Sequence, residues 1–358
     1  MKHEFNADLL RIARQSRGFS QSLLADRSGV SQAHISKWEN ALLQPTEVLL
    51  SKVAGALNFP VSFFFEPDRV FGLPVSVHPM YRKRASVGKQ SIEKLEAEVN
   101  IHLFHFRRLL KSVDLAPELD LPEIEVDEYA GGAEGVAEMV RRMWLIPVGP
   151  IRNLMSYVER AGCLVILSDF DGESVDGLTV RTPDMPPCIF LNRNQPADRQ
   201  RFTLAHELGH LVMHRHPSPA MEDEANAFAA ALLMPARDIR PILLGGTITV
   251  PRLAALKPIW RVSMAAILVR AKTIGLLTDN QSSYLWRQMS QLQYRRREPA
   301  ELDFAAEVPS VVPEVVRSHL EDLGYALSDL RTMLHTSGDD ISRLYNIAPP
   351  NASRLRLV

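Results

Sequence analysis

The stretch Arg201-Phe202-Thr203-Leu204-Ala205-His206-Glu207-Leu208-Gly209-His210 constrains this chain more than any other. Phe202, Leu204, Ala205, Leu208, Leu211 and Val212 form an apolar stripe at helical spacing with no internal proline, and Pro196-Ala197-Asp198 offers a start. A helix is therefore expected, and on it His206 and His210 project from one face, one turn apart. Two neutral imidazoles held in that way provide half of a tetrahedral zinc shell. Glu207, one residue along, can address a water at the metal from the side, as a general base. Gly209 costs about 1 kcal/mol relative to alanine in a helix interior, so its place between the histidines predicts close approach by another segment.

Five residues can spell this pattern by chance, and the downstream segment adds what the pattern lacks. After the break at Pro217-Ser218-Pro219, a second helix is expected from about Met221 to Leu233. Glu222, Ala225, Asn226 and Ala229 share one of its faces. Glu222 can complete the metal shell, Asn226 can bond the second nitrogen of a ligand histidine, and the two alanines let the helices pack closely. Glu224 and Asp223 compete for the ligand role, but Glu224 falls on a different face from Glu222. His214, a further turn beyond His210, reads as a supporting residue or as surface. Upstream, helices over Glu134–Trp144 and Ile151–Ala161 precede three strand-like runs, Cys163–Leu167, Ser174–Val180 and Cys188–Leu191. These predict a small antiparallel sheet in an α+β order. Its last strand leads into the zinc helix and reads equally as a cleft edge for an extended substrate or as an ordinary core strand.

His206-Glu207-Leu208-Gly209-His210, Glu222-x-x-Ala225-Asn226-x-Phe228-Ala229-Ala230 and Leu232-Leu233-Met234-Pro235 together resemble the ImmA/IrrE family of zinc metallopeptidases. The likeness runs from about Arg141 to about Arg270. It implies His206, His210 and Glu222 as zinc ligands, Glu207 as the general acid/base, and Zn²⁺ as cofactor with Mn²⁺ as a substitute. It further implies cleavage of an Xre-type repressor in response to phage, mobile-element or DNA-damage signals.

The N-terminal segment reads as a bundle of short helices. Gly18 ends the first, Ser20 caps a second over Gln21–Ser28 with Leu23, Leu24 and Ala25 inward, and Gly29-Val30 makes a turn. Ser31 caps a third over Gln32–Asn40 with Ile35 and Trp38 inward, and Pro45 is placed to open a fourth. Two short helices joined by a tight glycine turn form a helix-turn-helix, whose second helix enters the DNA major groove. The order Ser20-Gln21…Leu24-Ala25…Gly29-Val30-Ser31…Ile35-Ser36-Lys37-Trp38-Glu39-Asn40 resembles the Xre/phage-repressor helix-turn-helix family. By that resemblance Gln21 touches phosphate, while Gln32, Ala33 and His34, with Ser36 and Lys37 behind, face base edges or backbone of double-stranded DNA. Charge there is only mildly basic, so a homodimer is expected to supply the affinity. A small helical module used for dimerisation or docking is the competing reading.

The remainder is divided by composition. Glu66 to Val87 is linker-like, with Pro67, Pro74 and Pro79 and the basic run Arg82-Lys83-Arg84. Ser91 to Val113 reads as a long amphipathic helix, on which His102 and His105 carry no assigned role. An acidic spacer follows. Beyond Pro235 the pattern is helical to the end: Ser263-Met264-Ala265-Ala266-Ile267 could open a second helix-turn-helix-like unit, Arg295-Arg296-Arg297 reads as a solvated charge run, and Val311–Arg343 as a small helical domain. The expected partition is 1–66 helix-turn-helix, 67–130 linker and amphipathic helix, 131–236 metallopeptidase and 237–358 C-terminal helices. The expected fold class is mainly α with an α+β metallopeptidase domain: an N-terminal all-α helix-turn-helix bundle, a central small sheet with the zinc helix, and a C-terminal helical region.

A formal net charge of −1 argues against a wholesale nucleic-acid coat. The two cysteines, Cys163 and Cys188, form no C-x-x-C pair, which points to a reducing compartment and a metal site without sulfur. No signal peptide or bilayer-length apolar run is read, so a cytoplasmic protein without a membrane partner is expected. The leading expectation is a DNA-binding zinc endopeptidase that cleaves a repressor or antitoxin-like protein. Two others stand beside it: an Xre-family transcriptional regulator whose zinc domain is a sensor or scaffold with little peptidase activity, and the antitoxin-like half of a two-gene module.

Overall fold

The computed structural model describes residues 4–72, 89–170 and 175–345. The basic run Arg82-Lys83-Arg84, Pro74, Pro79 and the turn Asp171-Gly172 lie outside the described residues. In chain order the helices begin with α1 (Ala7–Ser16), α2 (Gln21–Ser28), α3 (Gln32–Glu39), α4 (Glu47–Leu57) and α5 (Lys89–Leu109). Then come α6 (Gly132–Met143), α7 (Leu154–Arg160), the strands β1 (Leu164–Ser168), β2 (Gly177–Val180) and β3 (Cys188–Asn192), α8 (Ala197–Met213) and α9 (Met221–Leu233). The chain continues through α10 (Ala236–Leu244), α11 (Val250–Trp260), α12 (Met264–Thr273) and α13 (Asp279–Gln291) to α14 (Val311–Glu321), α15 (Leu327–Met333) and α16 (Gly338–Tyr345). Among the described residues no helix is long and apolar enough to cross a membrane. Contacts divide the described chain into two units, 4–72 with 89–115 and 311–345, and 116–170 with 175–310.

The first unit starts from well-capped short helices. Asn6 accepts from the Asp8 and Leu9 amides, Ser20 from Leu23, and Ser31 from His34, each satisfying an otherwise orphaned helix N–H. Gly29 ends α2 at φ 66°, the left-handed turn that glycine adopts without strain. Leu9, Leu10, Leu24, Val30, Ile35, Trp38, Leu50 and Val53 form the core. Leu23 is 38% exposed rather than inward, because α2 buries only the face that carries Leu24 and Ser28. The fourth helix opens at Glu47 rather than at the expected Pro45, and Thr46 before it makes no side-chain capping bond. The long helix α5 is not an amphipathic connector: every residue from Ala97 to Phe106 is buried. Helix α1 packs along it, and the C-terminal helices close on it through His105 Nδ1 and the Tyr345 hydroxyl at 2.7 Å. Arg17 grips Asp340 through both nitrogens at 2.8 and 2.6 Å. Residues 89–115 and 311–345 therefore pack with the N-terminal helices, whereas the sequence pattern predicts an amphipathic helix after a linker and a separate small helical domain.

The second unit is built on a three-stranded sheet of order β1-β3-β2. It is mixed rather than antiparallel: β1 runs parallel to β3, with Val165 opposite Ile189, while β2 runs antiparallel, with Thr179 opposite Ile189. The wholly buried β3 occupies the middle, where both of its hydrogen-bonding edges are satisfied. It is thus unavailable as a cleft edge, and β2 is an edge strand instead. Helix α8 packs on the sheet and on α9, so that Thr203 to Met213 are all buried, on every side of the helix rather than along one stripe. Arg141 donates to Leu232 O at 2.7 Å and Arg270 to Met234 O at 2.9 Å, satisfying carbonyls at the C-terminal end of α9. Trp260, Ile267, Leu268 and Leu285 join the same core, so α10 to α13 complete this unit.

Candidate functional site

In the second unit α8 and α9 bring three side chains to one point. His206, His210 and Glu222 each offer a ligand atom, and these atoms lie within 4.8 Å of one another. The two histidine Nε2 atoms are 3.0 Å apart, and Glu222 oxygens stand 3.6 Å from His206 Nε2 and 3.5 Å from His210 Nε2. A tetrahedral zinc shell with bonds of about 2.0–2.1 Å has ligand-to-ligand edges of roughly 3.3 Å, the separation these distances bracket. The close approach depends on Gly209, where a Cβ would meet the Phe228 ring at 3.0 Å and Ala225 Cα at 3.4 Å. Ala225 and Ala229, both fully buried, supply the other half of that contact.

The outer ring of hydrogen bonds sets the tautomers. His206 Nδ1 donates to Asn226 Oδ1 at 3.1 Å, which leaves a lone pair on Nε2. His214 Nε2 donates to Glu224 Oε2 at 2.9 Å, so its Nδ1 accepts from His210 Nδ1 at 2.9 Å and the His210 Nε2 lone pair also turns inward. Two lone pairs 3.0 Å apart repel unless a cation or proton sits between them. Glu222 Oε1 is buried without a hydrogen-bond partner, a second sign that the donor set fits a cation. Burial opposes protonation of His206, but the adjacent Glu222 carboxylate, with Glu207 and Asn226, raises its pKa above the ordinary value. Burial likewise pushes Glu222 up, yet its histidine neighbours pull the carboxyl well below the usual range. This local field favours positive charge between the three groups.

Glu224, the competing third ligand, holds His214 rather than facing the cluster, and Asp223 is exposed. Glu207 is 3% exposed and its Oε2 accepts from Thr179 Oγ1 at 2.7 Å. Thr179 lies on β2, and α8 can come that close because Gly177 on the same strand has no side chain; a Cβ there would meet Thr203 Cγ2 at 2.6 Å. Thr179 is not legible in the sequence, since a threonine in a strand-like run carries no signal of what it faces.

In the first unit, Gln32, Ala33, His34 and Lys37 are exposed on α3 and Ser36 is half-buried. Gln21 is also half-buried and already engaged: its amide donates to Glu39 Oε2 at 2.9 Å and its oxygen accepts from Gln32 Nε2 at 3.0 Å. Glu39 in turn is clamped by Arg14 at 2.6 and 2.8 Å. The expected phosphate contact Gln21 thus also fixes the start of the exposed helix. Ser31 Oγ lies 2.8 Å from His34 Nδ1, which orients that ring.

Residues 158–272 match the family model described as IrrE N-terminal-like domain, and residues 10–64 match the model described as Helix-turn-helix. Over 65 residues the chain is 41% identical to the HTH-type transcriptional regulator SutR of Escherichia coli (strain K12), a stretch that covers 18% of this chain. The chain spans only 36% of that relative's length. No solved structure matches the chain.

Proposed function

From a chain that joins a helix-turn-helix domain to an IrrE-like domain, we propose a DNA-binding zinc endopeptidase that cleaves a repressor or antitoxin-like protein. The observation that carries the reading is Glu207, held through one oxygen by Thr179, beside the convergent His206, His210 and Glu222. Those three side chains would hold the metal, Zn²⁺ or Mn²⁺ in its place. Bound zinc supplies Lewis acidity, polarising a carbonyl and acidifying water. The remaining work belongs to the protein. With Oε2 occupied by Thr179, Glu207 takes the attacking water's proton and passes it to the leaving amine nitrogen. Strand β2, which carries Thr179, lies at the edge of the sheet with all four of its residues buried, so its part in this reading is to aim Glu207. The helix-turn-helix domain, similar to part of a transcriptional regulator, brings the peptidase to an operator through Gln21, Gln32, Ala33, His34, Ser36 and Lys37, in a homodimer.

The test incubates the zinc-loaded chain with the repressor encoded next to it. Wild type yields discrete fragments, while Glu207→Gln keeps its zinc and yields none. Fragments from the glutamine variant, or none from either protein, would sink the peptidase reading and leave a regulator whose zinc domain senses or scaffolds. Changing Gln32 and Lys37 together to alanine removes the operator gel shift with zinc content unchanged; an unaltered shift transfers DNA binding elsewhere.

A further inference from the structure

A cavity of about 550 Å³ opens in the second unit where α8 and α9 meet the segment after α13. Its apolar lining includes Phe202, Ala230, Ala266 and Val269. It reaches Asn226, the residue that holds His206, so it adjoins the metal cluster. Its rim carries Arg295, Arg296 and Arg297, a run that reads as solvated charge in the sequence.

That rim is anchored to the site. Glu298 accepts from the Met264 and Ala265 amides at 3.1 Å each and from Lys257 Nζ at 2.8 Å. Lys257 also donates to Asp198 at 2.6 Å, in the first turn of α8. The segment bearing the arginines is therefore tied to the helix that bears the histidines. Cations around the cavity divide into two groups. Lys257 is engaged by Asp198 and Glu298, Arg297 by Asp303, and Arg199 by Asp176. Arg295 lies over the Trp286 ring at 5.2 Å, with no carboxylate partner among the described residues, and Arg296 makes no side-chain ion pair among them.

We propose that this cavity is a specificity subsite of the peptidase cleft, taking an apolar side chain and the adjacent acidic side chain of an extended acidic peptide. The assignment rests on the peptidase reading for its purpose, but its chemistry stands on the cavity. An apolar lining removes a hydrocarbon side chain from water. The two guanidiniums without carboxylate partners suit one or two carboxylates, which arginine binds through paired N–H donors. A run of nucleic-acid phosphates fits less well, because it has no hydrocarbon side chain to fill the lining of Phe202, Ala230, Ala266 and Val269.

The test uses the full-length, zinc-loaded Glu207→Gln chain and two fluorescein-labelled decapeptides that differ only in Asp or Asn beside a central Leu. Anisotropy should show the Asp peptide binding roughly fivefold tighter. Arg295→Glu with Arg296→Glu should abolish that preference, and Val269→Trp, at a half-exposed lining position, should weaken both peptides. Equal binding of the two peptides, or a preference that survives the charge reversal, overturns the proposal. So does a random duplex that loses affinity on the charge reversal while neither peptide binds. Because binding is read without cleavage, a chain that shows the Asp preference yet cuts no protein refutes the peptidase reading and not the subsite.

Discussion

Thr179 and His214 carry side-chain contacts that the motif residues cannot make for themselves. Among the described residues, Thr179 alone gives the Glu207 carboxylate a hydrogen bond, at 2.7 Å. Thr179→Val should lower kcat on the order of tenfold, with KM and metal content unchanged, since a base must be aimed before it can work; an unchanged kcat would show that packing alone aims Glu207. His214 links His210 to Glu224 at 2.9 Å on each side. Its replacement by alanine should weaken metal affinity about 10- to 100-fold, as loss of an outer hydrogen bond to a ligand does. Competition with a chromophoric chelator measures this, and an affinity equal to wild type would remove His214 from the site. Spacing alone could place His214 one turn beyond His210, but not say whether it faced the cluster or solvent.

At the scale of elements, the contact between α8 and α9 decides the site. Gly209→Ala gains up to about 1 kcal/mol of helix propensity. The new methyl would meet the buried Phe228 ring at 3.0 Å and the Ala225 backbone at 3.4 Å, and neither has space to yield. Overpacking of about 1–3 kcal/mol outweighs the gain. The variant should unfold at lower urea and bind metal more weakly, because Glu222 moves away with α9; equal stability would mean the helices can slide apart without cost. The glycine's role is legible from sequence, as is the shared face of Glu222, Ala225 and Asn226. The strand order is not. Alternation and turn residues mark where strands lie, whereas the parallel pairing of β1 with β3 depends on contacts between segments more than twenty residues apart.

At the scale of the whole molecule, charge buried between distant segments controls stability. His105 on α5 is fully buried against Tyr345. Burial, reinforced by the charges of His102 and Arg108, depresses its pKa from 6.5 to about 3. In the unfolded chain His105 takes up a proton near pH 6.5, while the folded chain resists until about pH 3. Stability of the first unit should therefore fall as pH drops through that window and level off below it. Asp340 acts lower: burial pushes its carboxyl up, but Arg17 and Ser337 hold it below the usual carboxylate range, so its contribution is lost only in stronger acid. Urea midpoints of wild type and His105→Gln across pH 3–7 test this; a variant that keeps the wild-type slope would exclude His105 as its source.

Local chemistry determined much of this protein from sequence alone. Caps at Ser20 and Ser31, the helical spacing of His206 and His210, and the face shared by Glu222 and Asn226 depend on neighbours within a turn or two. Tertiary structure decided what no local pattern encodes. It set β3 in the middle of the sheet, brought Thr179 to Glu207, and gathered Arg295 to Arg297 beside the cavity. It also folded α5 and the C-terminal helices onto the N-terminal bundle, where Arg17 meets Asp340. The physical reason is range. Helix propensity, capping and periodicity act between residues close in sequence, whereas burial and ion pairing reward whichever distant surfaces fit.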